Sequence, residues 1–218
     1  MKINKIETSK YVTYKELTRF TRQLPDYRDR LIIMLIFDGY YVNMEDIQNL
    51  RKDDVIEGKK CNYIKDKKIS SATYKYIQEA LKEKEIHTYS QFNNGIDTLI
   101  ESDYLVRERQ GYISRANVKV DERFNGFAMN KQSIINRFAK LKRTYGFNLS
   151  LSSIYASGVI YRVKEKVPYG IKNHRQEFLR FAEKEGVKEG MGRLYYKQYL
   201  DMYSRFEAEK DDKTEEDE

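Results

Sequence analysis

Apolar positions recur at helical spacing along most of the chain, and the residues between them mark where each helix starts and stops. Thr13, with Glu16 three residues on, has the form of a capping box, in which each residue satisfies a free backbone N–H of the other. Leu17 and Phe20, with Leu24 beyond, give the stripe of a first helix that Pro25 stops. Asp26 is placed to cap a second helix through Tyr27, Leu31, Met34, Leu35 and Phe37, ending at Gly39. Its nearly continuous hydrophobicity predicts a central helix buried on all sides. Asn43 opens a third helix, with Met44, Ile47 and Leu50 on one face.

Between Val55 and Ser71 the pattern becomes that of short strands. Val55-Ile56, a turn at Gly58, Cys61 to Ile64, a polar turn from Lys65 to Lys68, and Ile69 predict a small sheet. Helical spacing resumes at Thr73 and runs to about Lys84. A loop and another helix are expected from His87 to Leu105, and a short hairpin around Gln110-Gly111 between Arg107 and Val120. Asn130 starts a long basic amphipathic helix that reaches Tyr145 and ends at Gly146, with Ile134, Ile135, Phe138 and Leu141 inward. A helix from about Ser150 to Val163 follows, then two more near Arg175–Glu185 and Met191–Phe206. The expected class is mainly α with a small antiparallel β-sheet.

Charge adds a partner to this picture. The 218 residues hold 41 Lys and Arg against 34 Asp and Glu, a net charge of +7. Residues Glu207 to Glu218 contain eight acids and two lysines, a net of −6, so the chain before them carries +13. A body that basic favours polyanions, with duplex DNA the first candidate. One domain over 1–206 and an acidic disordered tail over 207–218 are therefore expected. A single cysteine, Cys61, rules out an internal disulfide framework. The longest apolar run, Leu31 to Phe37, is far short of the roughly 20 residues of a membrane span. A cytoplasmic protein without membrane association is the expectation.

Chemistry narrows it further. His87 and His174 are the only histidines and lie far apart, Cys61 has no neighbour at ligand spacing, and no glycine loop follows a strand. No metal or cofactor is expected. Lys131, Arg137, Lys140, Lys142 and Arg143 put five cations within thirteen residues of the basic helix, suited to phosphate contacts. Arg162, Lys164 and Lys166 form a second group, and Lys65, Lys67 and Lys68 a third. The expected DNA-binding set is Lys65, Lys67, Lys68, Lys131, Arg137, Lys140, Lys142, Arg143, Arg162 and Lys164. A second copy of the chain or a regulatory protein are further candidate partners.

Three stretches, in order and spacing, carry a resemblance. Thr13-Tyr-Lys-Glu-Leu is followed by Arg28 to Gly39 and then by Glu45 to Val55; later comes the basic helix with Leu149-Ser-Leu-Ser-Ser-Ile-Tyr-Ala-Ser-Gly-Val-Ile. Together they resemble the catalytic domain of tyrosine recombinases, the phage integrases, over roughly Tyr11 to Arg205. The resemblance implies two arginines on the scissile phosphate, a histidine and a lysine for proton transfer, and a tyrosine nucleophile. Here the first arginine position reads Asn43, and the second motif falls at Ser152 to Tyr155 with neither histidine nor arginine. A sheet lysine survives as Lys65, Lys67 or Lys68. Tyr195, Tyr196, Tyr199 or Tyr203 stands where the nucleophile does, with Tyr196 and Tyr199 the favoured remnants. The resemblance thus implies an integrase fold without catalysis, similar to the integrase-like repressors of temperate phages. Two alternatives stay open: an active recombinase with Arg51, Arg143 or Arg162 in the arginine roles, and a winged-helix regulator with a recognition helix and wing over Ile96 to Ile113.

Overall fold

The computed structural model describes residues 10–40, 44–89, 95–110 and 128–211. Helix α1 (Tyr14–Thr21) begins at the capping box: Thr13 Oγ1 accepts from Glu16 N at 3.2 Å and Thr13 N donates to Glu16 Oε2 at 2.8 Å. Helix α2 (Tyr27–Phe37) is the axis of the molecule, with every residue from Leu31 to Phe37 buried. That stretch is shielded because α4 (Ser71–Lys82) and α6 (Leu151–Lys164) pack on the helix, while Tyr27 and Arg30 in its first turns stay half-buried. The α6 contact is close. A Cβ on Gly158 would lie 1.7 Å from the Phe37 carbonyl oxygen, so only glycine lets the two backbones meet here.

The third helix, α3 (Met44–Gln48), leads into a three-stranded antiparallel sheet of β1 (Val55–Ile56), β2 (Asn62–Ile64) and β3 (Lys67–Ile69) in that order. Ile64 pairs with Lys67, so the β2–β3 turn is Lys65-Asp66, and Lys65 takes a left-handed φ of 56°. The basic helix α5 (Lys131–Tyr145) is capped by Asn130, whose side chain accepts from Ser133 N, and ends at Gly146 with φ 67°. Its main helix neighbour is α3. Helices α7 (His174–Lys184) and α8 (Glu189–Asp211) pair with each other and close over α6.

The main architecture is mainly helical with a small antiparallel sheet, as the sequence predicts, but four expectations change. The segment from His87 to Leu105 holds no helix among its described residues. It forms a hairpin instead, β4 (Glu85–Thr88) paired with β5 (Gly95–Thr98), in which Ile86 is buried and its neighbours face out. Among the described residues from Ile96 to Arg109 there is no recognition helix of the winged-helix alternative, since Ile96 to Thr98 are strand and Leu99 bridges Arg109. The hairpin expected around Gln110-Gly111 lies largely outside the described residues, as does Asn43. Asp26 occupies the N-cap position of α2, yet its carboxylate makes no cap bond and turns to other partners. Helix α8 continues to Asp211, so the acidic segment begins as helix; the remainder of the tail lies outside the described residues. Among the described residues, no helix is long and apolar enough to cross a membrane.

Candidate nucleic-acid interface

Two cations expected on DNA meet at the C-terminal end of α2. The last carbonyls of a helix have no partner inside it, and its dipole favours positive charge there. Arg162 Nη1 donates to the Phe37 carbonyl, and Lys67 Nζ donates to the Gly39 carbonyl at 3.0 Å. Arg162 Nε is held by Glu185 Oε2 at 2.7 Å. A Cβ on Gly39, whose φ is +105°, would lie 2.6 Å from Lys67 Nζ and 3.1 Å from Arg162 Nη2, so both cations flank one point. Burial, and then repulsion from Arg162, push the Lys67 ammonium below its ordinary value. Beneath them, Asp38 is buried and accepts from Ser70 N at 2.9 Å and from the Thr73 hydroxyl. Burial raises its carboxyl above the usual range, although those hydrogen bonds and Arg162 oppose the shift. Tyr155, the residue at the expected second arginine position, is buried, which pushes its phenol up, with Arg162 opposing the shift.

A second charged cluster surrounds the other end of α2. Arg137, expected at the DNA surface, is only 7% exposed and serves the interior. Its Nε donates to Asp29 Oδ1 at 2.8 Å, its Nη2 to Asp29 Oδ2 at 2.6 Å and Asp26 Oδ2 at 2.7 Å, and its Nη1 to the His87 carbonyl at 2.6 Å. Burial alone would lower this guanidinium, but Asp29 and then Asp26 outweigh it and hold it above its ordinary value. Arg28, Arg107 and Glu108 are buried nearby, with Arg28 Nη1 donating to the Arg107 carbonyl at 2.8 Å.

The other expected contacts divide by exposure. Lys68, Lys131 and Arg143 are exposed, as is Lys65, whose Nζ is 3.9 Å from Asp54. Lys140 and Lys142 are half-buried. Lys164 lies mostly covered, 3.8 Å from Glu165 and over the Phe206 ring. It thus packs against α8, and Lys67 and Arg162 bond the α2 terminus, so each of the three has an intramolecular contact beside the expected phosphate role. The expected tyrosines sit elsewhere. Tyr196 OH is 3.3 Å from His174 Nδ1, at the start of α7, whereas Glu185 and Arg162 meet at its end. Eleven helical residues span about 16 Å. Tyr199 is 1% exposed among Tyr169, His174, Phe178 and Phe206, and burial pushes its phenol up. Ser152 is exposed in the first turn of α6, 2.9 Å from Ser150 Oγ.

A family model described as MrpR, C-terminal catalytic domain, matches residues 11–204. The chain belongs to that family. It is a tyrosine recombinase-type catalytic domain family, which accords with the integrase resemblance read from the helix order. No curated protein matches the chain. The MrpR match spans α1 through most of α8, so both charged clusters and the tyrosines lie inside it. The sequence reading missed the roles of Asp26, Asp29, Asp38 and Glu185. One partial signal was available: Arg137 follows Ile134 by three residues and precedes Leu141 by four, which puts it at the edge of the buried face.

Proposed function

We propose that this MrpR-family domain is a sequence-specific duplex-DNA-binding regulator, a repressor of the lysogeny type, that holds DNA without cutting it. The observation that carries this reading is the separation of cations from tyrosines. Lys67 and Arg162 are committed to the carbonyl end of α2 and to Glu185, while Tyr196 is paired with His174 at the end of α7 opposite Glu185, and Tyr199 is buried among aromatic rings. Phosphoryl transfer needs nucleophile and phosphate-neutralising cations around one phosphate, since the charge of the phosphorane must be compensated where it develops. The exposed cations on α5 and on the β2–β3 hairpin supply the sequence-independent part of the affinity.

The test is a salt-titrated gel shift on duplex fragments of the source genome with competitor DNA. Selective retention of a few fragments, with affinity falling steeply as salt rises, supports the reading. Equal retention of all fragments removes the specificity, and no retention at low salt removes the DNA binding.

A recombinase that assembles its site only on DNA is the second reading. It is favoured by one observation, the convergence of Lys67 and Arg162 on Gly39. Tyr→Phe at Tyr195, Tyr196, Tyr199 and Tyr203 separates the two, because only the recombinase loses an activity.

A further inference from the structure

We propose that Asp26 and Asp29 use Arg137 as a positioning residue that fixes the rotation of α5, and with it the register of the α5 cations on DNA. The proposal rests on the DNA-binding reading above and deepens it. All three guanidinium nitrogens are engaged: Nε and Nη2 across Asp29, Nη2 also on Asp26, and Nη1 on the His87 carbonyl. Asp26 in turn accepts from His87 N at 3.1 and 3.2 Å and lies 2.7 Å from His87 Nδ1. The Tyr89 ring sits 4.5 Å from the guanidinium carbon, and Tyr89 OH is 2.8 Å from Tyr145 OH in the last turn of α5. One side chain thus joins the first turns of α2, strand β4 and the middle of α5.

Hydrogen bonds also hold the two ends of α5, Lys131 N to Gln48 Oε1 at 3.3 Å and Tyr145 OH to Tyr89 OH, but the rest of its middle is anchored differently. Ile134, Phe138 and Leu141 are buried apolar contacts, which stabilise without setting direction. A planar fork between two carboxylates and a carbonyl is directional and tolerates little rotation. With side chains, a helix has a radius of about 5–6 Å, so a turn of 30° moves an outer-face group by about 3 Å. That displacement is as long as a hydrogen bond. Lys131 and Arg143, both exposed on α5, would lose their phosphates together.

The experiment measures duplex affinity against salt for the full chain, the variant Arg137→Met and the variant Arg137→Lys, at a temperature where circular dichroism shows each folded. Lysine keeps the charge and the stem but cannot span three acceptors, and it keeps the measurement open if the methionine variant fails to fold. Each lost phosphate contact lowers affinity about fivefold at 0.15 M salt and the slope by about 0.9. The expected result for both variants is a loss of about thirtyfold and a slope reduced by about two contacts. Full affinity and slope in folded variants overturn the proposal and leave the DNA reading standing. A slope reduced by one contact and restored by lysine overturns it in favour of direct contact. Absence of salt-dependent binding by the unmodified protein overturns the DNA reading and this proposal together.

Discussion

Replacing Gly158 with alanine places one methyl group where α6 touches the backbone of α2. The new carbon would lie 1.7 Å from the Phe37 oxygen, 2.6 Å from its carbonyl carbon and 3.0 Å from its Cα. Ordinary contact begins at 3.4 Å, so the helices must part by about 1.7 Å. The obstacle is backbone, which cannot swing aside like a side-chain tip, and α2 is packed on its other sides through Leu31 to Phe37. The same carbonyl accepts from Arg162, so that cap is disturbed as well. Overpacking a core costs about 1–3 kcal/mol, and these features place Gly158→Ala near the upper end. Alanine is favoured over glycine inside a helix by about 1 kcal/mol, which opposes the loss. The net expectation is about 2 kcal/mol of destabilisation, or about 4–8 °C in Tm for a chain of this size. Urea and thermal unfolding measure both. A Tm equal to or above that of the unmodified protein would refute the close approach of α2 and α6.

Three further outcomes are expected. Asp29→Asn leaves Arg137 short of its main charge partner in a site with no exposure, and chemical denaturation should report a loss of about 3–5 kcal/mol; a loss under about 1 kcal/mol contradicts the buried pair. Arg143→Glu, on the exposed face of α5, should weaken duplex binding and reduce the salt slope by at least about one contact, whereas unchanged affinity and slope would show that this face does not meet DNA. Burial holds the His174 imidazole below its ordinary value, so the unfolded chain takes up a proton first and stability falls as pH drops below about 6.5. The variant His174→Phe should lose that part of the pH dependence between pH 7.5 and 5, and parallel stability curves for the two proteins would contradict the assignment.

The chain announces its helix boundaries because caps are local chemistry. Thr13 with Glu16, Asn130, Ser150 and Gly146 each satisfy backbone groups of their own turn, and all take those roles. The three-stranded sheet was legible for the same reason, through its turns at Gly58 and Lys65. The β4–β5 hairpin was not, since two strands of four residues each offer too few alternations to outweigh the surrounding helical pattern. The site was harder still. Periodicity tells which face a cation occupies only near the centre of an apolar stripe, and Arg137 sits at its border. Whether Lys67 and Arg162 reach solvent or a carbonyl depends on the end of α2, 28 and 125 residues away. Such pairings are set by tertiary packing, and no local rule reads them.

The central claim is that this domain grips duplex DNA and leaves its backbone whole. It is tested most directly by trapping: the protein is bound to an end-labelled, nicked suicide duplex carrying its retained site, then resolved on a denaturing gel. The account predicts a complex that dissociates fully in detergent, with the label running as free DNA. A labelled band that survives detergent and disappears in Tyr196→Phe or Tyr199→Phe would contradict it.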